Sequence, residues 1–134
     1  ASPAEKAAVE KAAMDAVFIV EKELDNPARD KSKEKLGYDI ESTCSQSGNL
    51  RFIEVKGRRK DATTVTITKN EIIYGLNLPE QFFLALAFVD GKRVEVHYVQ
   101  SAFKFEPDFG VTSINFNVKD LLTKTVHRRT ITLP

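Results

Sequence analysis

Phe82-Phe83-Leu84-Ala85-Leu86-Ala87-Phe88-Val89 is the stretch that decides the fold. It is apolar throughout, with no polar alternation, so as a strand it must be buried on both faces. Asp90-Gly91 follows and is a strong two-residue hairpin signal. Lys92 to Val99 then pairs back, with Val94, Val96 and Tyr98 alternating against polar neighbours. Upstream, Pro79 stops a helix that opens on the capping box Thr68-Lys69-Asn70-Glu71 and runs to Leu78. A strand covered on both faces needs a layer on each side. The expected fold class is therefore α/β, with a mixed central β-sheet flanked by helices and a core near residues 38–99.

Further out, Thr63 to Thr68 reads as a strand with Val65 and Ile67 on one face. Gly37 to Ser42 reads as a short strand with Tyr38 and Ile40 on one face, and Tyr38 is assigned to the core. Ser45 to Asn49 is a turn, and Leu50 to Lys56 is the second strand of that hairpin. Gly57 breaks it, and Arg58-Arg59-Lys60-Asp61 is a basic loop. At the N-terminus, Ser2-Pro3-Ala4-Glu5 is a second capping box. Val9, Ala13, Ala16, Val17, Val20 and Leu24 recur at helical spacing behind it, until Asp25-Asn26-Pro27 ends the helix. Phe18 and Ile19 lie off that stripe and suggest a second surface, such as a neighbouring domain. Residues 28–36 read as a charged, solvated connection. Val111 to Val118 is an extended segment, Asp120-Leu121-Leu122 a helical turn, and His127-Arg128-Arg129 part of a solvated tail.

The 134 residues suit one domain, 1–134, expected to be excised from a larger protein. Twenty Lys and Arg against nineteen Asp and Glu give a net charge of +1, which excludes a globally basic nucleic-acid coat. One cysteine, Cys44, excludes an intrachain disulfide and a cysteine zinc site, and suits a cytoplasmic location. No apolar run approaches a membrane span, so no membrane partner is expected.

The candidate chemistry lies in Asp39 and Glu54-Val55-Lys56. On a strand Glu54 and Lys56 share a face, and the hairpin brings Asp39 beside Glu54. Adjacent carboxylates resist joint ionisation unless a cation lies between them. Their oxygen ligands suit Mg²⁺ or Mn²⁺. A nearby lysine can orient a metal-bound water or help remove its proton. Arg58, Arg59 and Lys60 follow directly and could hold a phosphate backbone. On spacing alone a cross-strand ion pair on a solvated face is the better explanation of Glu54 and Lys56, but Phe52 shares the Glu54 face and makes those charges costly to bury without a role. The apolar Phe82, Phe83 and Phe88 belong to the core, which argues against an RNA-stacking sheet.

Gly37-Tyr38-Asp39-Ile40-Glu41-Ser42, Arg51-Phe52-Ile53-Glu54-Val55-Lys56-Gly57-Arg58 and Thr68-x-Asn70-Glu71 together resemble the signature of the NO VEIN C-terminal-like domain family. The resemblance runs from about Ala13 to Val99. That family is similar to the PD-(D/E)xK nuclease superfamily, which implies a restriction-endonuclease-like core. It further implies that Asp39 and Glu54 are acidic metal ligands, that the Val55 carbonyl completes the metal site, and that Lys56 is the catalytic lysine. Glu21 matches an acidic position on the first helix, with Glu23 as the fallback. Asn70 and Glu71 recur in the motif, but the capping box accounts for Glu71. The implied function is a Mg²⁺-dependent DNA endonuclease-like domain acting with a helicase-type ATPase of the same or a partner chain. The alternative is a catalytically silent module that binds nucleic acid or docks a protein.

Overall fold

The computed structural model describes residues 2–134. Helix α1 spans Pro3–Glu23, and its Ser2–Glu5 capping box is closed in both directions. Strands β1 (Ala28–Asp30), β2 (Ile40–Thr43) and β3 (Leu50–Arg59) follow, then β4 (Thr64–Thr68) and helix α2 (Lys69–Asn77). β5 (Phe82–Asp90) and β6 (Arg93–Val99) form the expected hairpin. β7 (Ser113–Asn117), the short helix α3 (Val118–Leu122) and β8 (Thr125–Thr132) complete the chain.

Six strands make one mixed sheet in the order β1-β2-β3-β5-β6-β8. β3 and β5 run parallel, and every other neighbouring pair is antiparallel. A parallel pair needs a crossover, and here β4 and α2 supply it. β4 pairs with β7 in a separate two-stranded ribbon.

The apolar run is the central strand β5, buried from Phe82 to Phe88. Side chains alternate across a strand. Phe83, Ala85 and Ala87 therefore join Ala13, Ala16, Val17 and Val20 of α1 in one core layer. Phe82, Leu84, Leu86 and Phe88 face the other way, onto Val65 and Ile67 of β4, Ile72 of α2, and Val118 and Leu121 of α3. The three aromatics Phe82, Phe83 and Phe88 are thus interior, leaving no aromatic platform on this strand.

Several local expectations are corrected. Gly57 does not break β3, which continues through it to Arg59. Instead it admits α1: a Cβ there would lie 2.8 Å from Ala13 Cβ and 3.0 Å from the Val9 carbonyl oxygen. Residues 28–36 are not merely a solvated connection, because β1 pairs with β2 at the sheet edge and Ser32–Glu34 forms a 3₁₀ turn. Tyr38 and Ile40 fall in opposite core layers, since β2 begins only at Ile40 and strand alternation does not extend back to Tyr38. Tyr38 is nonetheless core, its ring tilted against Phe52 with centroids 4.9 Å apart. Phe18 and Ile19 are half-buried, packed against the α1 core layer. The C-terminal tail is in fact β8, paired with β6. Among the described residues, no helix is long and apolar enough to cross a membrane.

Candidate active site

The site lies where β2 stops covering β3. Pairing of the two strands ends at Ile40–Ile53, and the Asp39 N–H makes one further bond, to the Ile53 carbonyl, at 2.9 Å. Beyond Ile53 that edge of β3 has no strand partner. The Asp39 carboxylate turns onto it and accepts the Val55 N–H at 2.9 Å. The N–H and C=O of one strand residue point to the same edge, so the Val55 carbonyl faces the Asp39 side as well.

Glu54 and Lys56 project from the opposite face to Val55, toward α2 and β4. Glu54 is only 5% exposed. Lys56 Nζ lies 3.4 Å from Glu54 Oε2 and 2.9 Å from Glu71 Oε1. The sequence therefore brings Asp39, Glu54 and Lys56 together, and the structure adds a fourth group, Glu71. A cleft of about 1220 Å³ opens over them, lined by Asp39, Glu54, Val55 and Lys56 with Glu10 and Asp15 of α1.

Burial is the largest influence on each of these groups, and the neighbours decide the outcome. Burial, Glu71 and Asp39 push the Glu54 carboxyl up to about 10, so it is neutral at pH 7. Burial also raises Asp39, although the Val55 N–H, Glu54 and Lys56 pull it back. Burial pulls Lys56 down, but Glu54 and Glu71 outweigh it and leave the amine above its ordinary value. Lys56 is therefore an ammonium ion here. Burial raises Glu71, yet its contacts with Glu54, the Thr68 N–H and Lys56 hold it below the usual carboxylate range.

Glu21 is not at this cleft. It is fully buried on the α1 face of the sheet. Its carboxylate accepts Arg51 Nε and Nη2, both at 3.1 Å, Tyr98 Oη at 2.7 Å and Asn26 Nδ2 at 3.2 Å. The Arg51 guanidinium in turn lies 4.3 Å from the Phe83 ring centroid. The resemblance matched Glu21 to an acidic site position on the first helix, but the α1 wall of the cleft is the N-terminal half, Glu5 to Asp15, and Glu21 is outside it. Glu23, the fallback, pairs on the surface with Arg129 at 2.9 Å.

Of the basic triplet, Arg58 and Arg59 are the end of β3 and Lys60 is in the turn that follows, and each member has an internal partner. Arg58 donates to the Thr64 carbonyl, Arg59 pairs with Glu5 at 2.6 Å, and Lys60 pairs with Asp90 at 3.4 Å. Arg128 pairs with Glu95. Among the described residues, no group of three or more His, Cys, Asp or Glu side chains is arranged to hold a metal ion. Around Lys56 the acidic groups are Asp39 at the β3 edge, Glu54 on its α2-facing side, and Glu71, which Lys56 engages.

The family model described as Protein NO VEIN, C-terminal matches residues 9–99. The chain belongs to this family. The match runs from the middle of α1 to the end of β6, so it includes Asp39, Glu54, Lys56 and Glu71. It leaves β7, α3 and β8 outside. No curated protein and no solved structure matches the chain.

Glu71 is the site residue that sequence reasoning missed. Its capping box is real: the Thr68 N–H donates to Glu71 Oε1 at 2.8 Å, and the Glu71 N–H to Thr68 Oγ1 at 3.2 Å. That explanation was sufficient for the helix start and so concealed the second contact. The available signals were the recurrence of Asn70 and Glu71 in the family motif and the position of the capping box, one strand away from Glu54-Val55-Lys56.

Proposed function

We propose that this domain is a Mg²⁺- or Mn²⁺-dependent phosphodiesterase acting on DNA, with Asp39, Glu54 and Lys56 as its working groups. The observation that carries the reading is the convergence of these three side chains at the unpaired edge of β3. The donor set fits a hard divalent cation. It is all oxygen, without histidine or cysteine, and it contains a carboxyl that burial and like-charged neighbours keep neutral. Asp39, Glu54 and the Val55 carbonyl would hold the ion. When bound, such an ion acidifies a coordinated water and offsets phosphate charge.

The remaining chemistry belongs to the chain. The Lys56 ammonium, held beside the two ligands, meets the negative charge that develops on a phosphate under attack. Because the Glu71 carboxylate, at 2.9 Å, keeps it protonated, it serves as an electrostatic group and not as the base. The Val55 N–H fixes the Asp39 carboxylate in one orientation. Arg59 and Lys60 hold their acidic partners in largely exposed pairs, which contribute little to stability and can exchange for backbone phosphates. A helicase-type ATPase, in the same or another chain, would deliver the DNA.

The test is cleavage of single-stranded, duplex and branched DNA with Mg²⁺ or Mn²⁺, comparing wild type with Asp39→Ala. Metal-dependent cleavage by wild type, lost in the variant, is the expected result. A second reading, a silent nucleic-acid-binding or docking module, is favoured by the small acidic set and the internally paired basic triplet. It predicts DNA affinity that falls with salt, or none, and no cleavage in either protein.

A further inference from the structure

We infer that Glu71 is a positioning residue for Lys56, and that its charge serves the lysine and not the helix cap; this rests on the phosphodiesterase reading. One oxygen, Oε1, carries two jobs. It accepts the Thr68 N–H at 2.8 Å and Lys56 Nζ at 2.9 Å. The cap needs only an acceptor at the third helical position, and Gln fills that role as Glu does. The ammonium ion needs a negative charge.

Glu54 is a poor source of that charge. It lies farther from Nζ, at 3.4 Å, and the proposed ion would claim its oxygens. Lysine is a point charge on a flexible stem with several rotamers. Without a fixed anion on the α2 side, Nζ would not be held at the cleft. Glu71 stands on a rigid element, because the next residue, Ile72, is 1% exposed in the core. The capping bond further restricts the Glu71 side chain, so the start of α2 is locked to the lysine of β3. A residue that holds a catalytic group in this way is expected to act on turnover more than on substrate binding.

Glu71→Gln separates the two jobs. The expected result is an unfolding midpoint close to wild type, kcat lower by about 10²-fold, and an unchanged KM. A second readout does not depend on activity. Acylation of Lys56 by an amine-reactive ester, followed by mass spectrometry, should be several-fold faster in Glu71→Gln, because the ammonium is no longer held. Glu71→Asp, which keeps the charge on a shorter stem, should recover part of the rate. Wild-type kcat in Glu71→Gln, or a Glu71→Gln chain that does not fold, would overturn the inference while leaving the phosphodiesterase reading in place. If wild type itself does not cleave DNA, that reading fails, and an unchanged acylation rate would then overturn this inference separately.

Discussion

Glu54→Gln is expected to stabilise the metal-free domain and abolish its cleavage. Glu54 is buried among Asp39, Glu71 and Lys56, and its carboxyl is pushed up to about 10. The sign follows from linkage. A carboxyl whose folded value lies above its unfolded value favours folding only below the unfolded value. Between about 4.5 and about 10 the unfolded chain releases a proton that the folded chain retains, so stability falls as pH rises across that window. At pH 7 to 8 the native residue therefore costs stability. Gln is neutral at every pH and can donate to Glu71 as the protonated carboxyl does. The variant should gain about 1–2 kcal/mol in denaturant unfolding at pH 8, and its stability should lose most of the pH dependence above 5. Cleavage should fall by up to about 10³-fold, the scale of removing a group that acts in the transition state. A Glu54→Gln protein that is less stable than wild type at pH 8, or that cleaves normally, would contradict this account.

The second large effect concerns the other face of the sheet. Arg51→Met should destabilise the fold by about 3–5 kcal/mol, because it leaves the buried Glu21 carboxylate without its cation. The methionine retains the packing over Phe83, so the loss reports charge and not volume. Here linkage runs the opposite way. Burial raises Glu21, but Arg51, Ser42 and Tyr98 outweigh it and hold the group below its ordinary value. Its contribution is complete above the unfolded glutamate value and is lost as pH falls through the lower folded value. Wild type should therefore lose stability as the pH is taken below about 4.5. In Arg51→Met the carboxyl is no longer held down, and stability should fall as pH rises past that same value. Urea unfolding of both proteins from pH 3 to 8 measures this. Parallel pH profiles would show that Glu21 and Arg51 are not coupled as described.

The elements that positioned the site were legible because strong local signals coincided with tertiary demand. The run from Phe82 to Val89 has no solvent face, and the β5 strand it forms has none until Val89. Both capping boxes close in the structure. The remainder was hidden for identifiable reasons. β8 buries only Ile131 outright, so its sequence carries almost no apolar alternation, and its partner β6 decides its conformation. Tyr38 was misassigned to the Ile40 face because alternation holds only inside a strand, and the strand starts two residues later. Helix phase gives the side on which Glu21 lies but not the depth along the sheet at which it arrives, which Arg51 and Tyr98 determine. The Arg58-Arg59-Lys60 triplet is visible as charge, whereas the partners Glu5 and Asp90 are distant in sequence.

The most direct test is calorimetric titration of the wild-type domain and Asp39→Ala with Mn²⁺, in two buffers of different ionisation enthalpy near pH 7.5. If Asp39 and Glu54 form a cation site, wild type should bind the ion with release of about one proton, from Glu54, and Asp39→Ala should show no binding. Absence of Mn²⁺ binding by wild type, or equal binding by the two proteins, would contradict the assignment of these carboxylates as a metal centre.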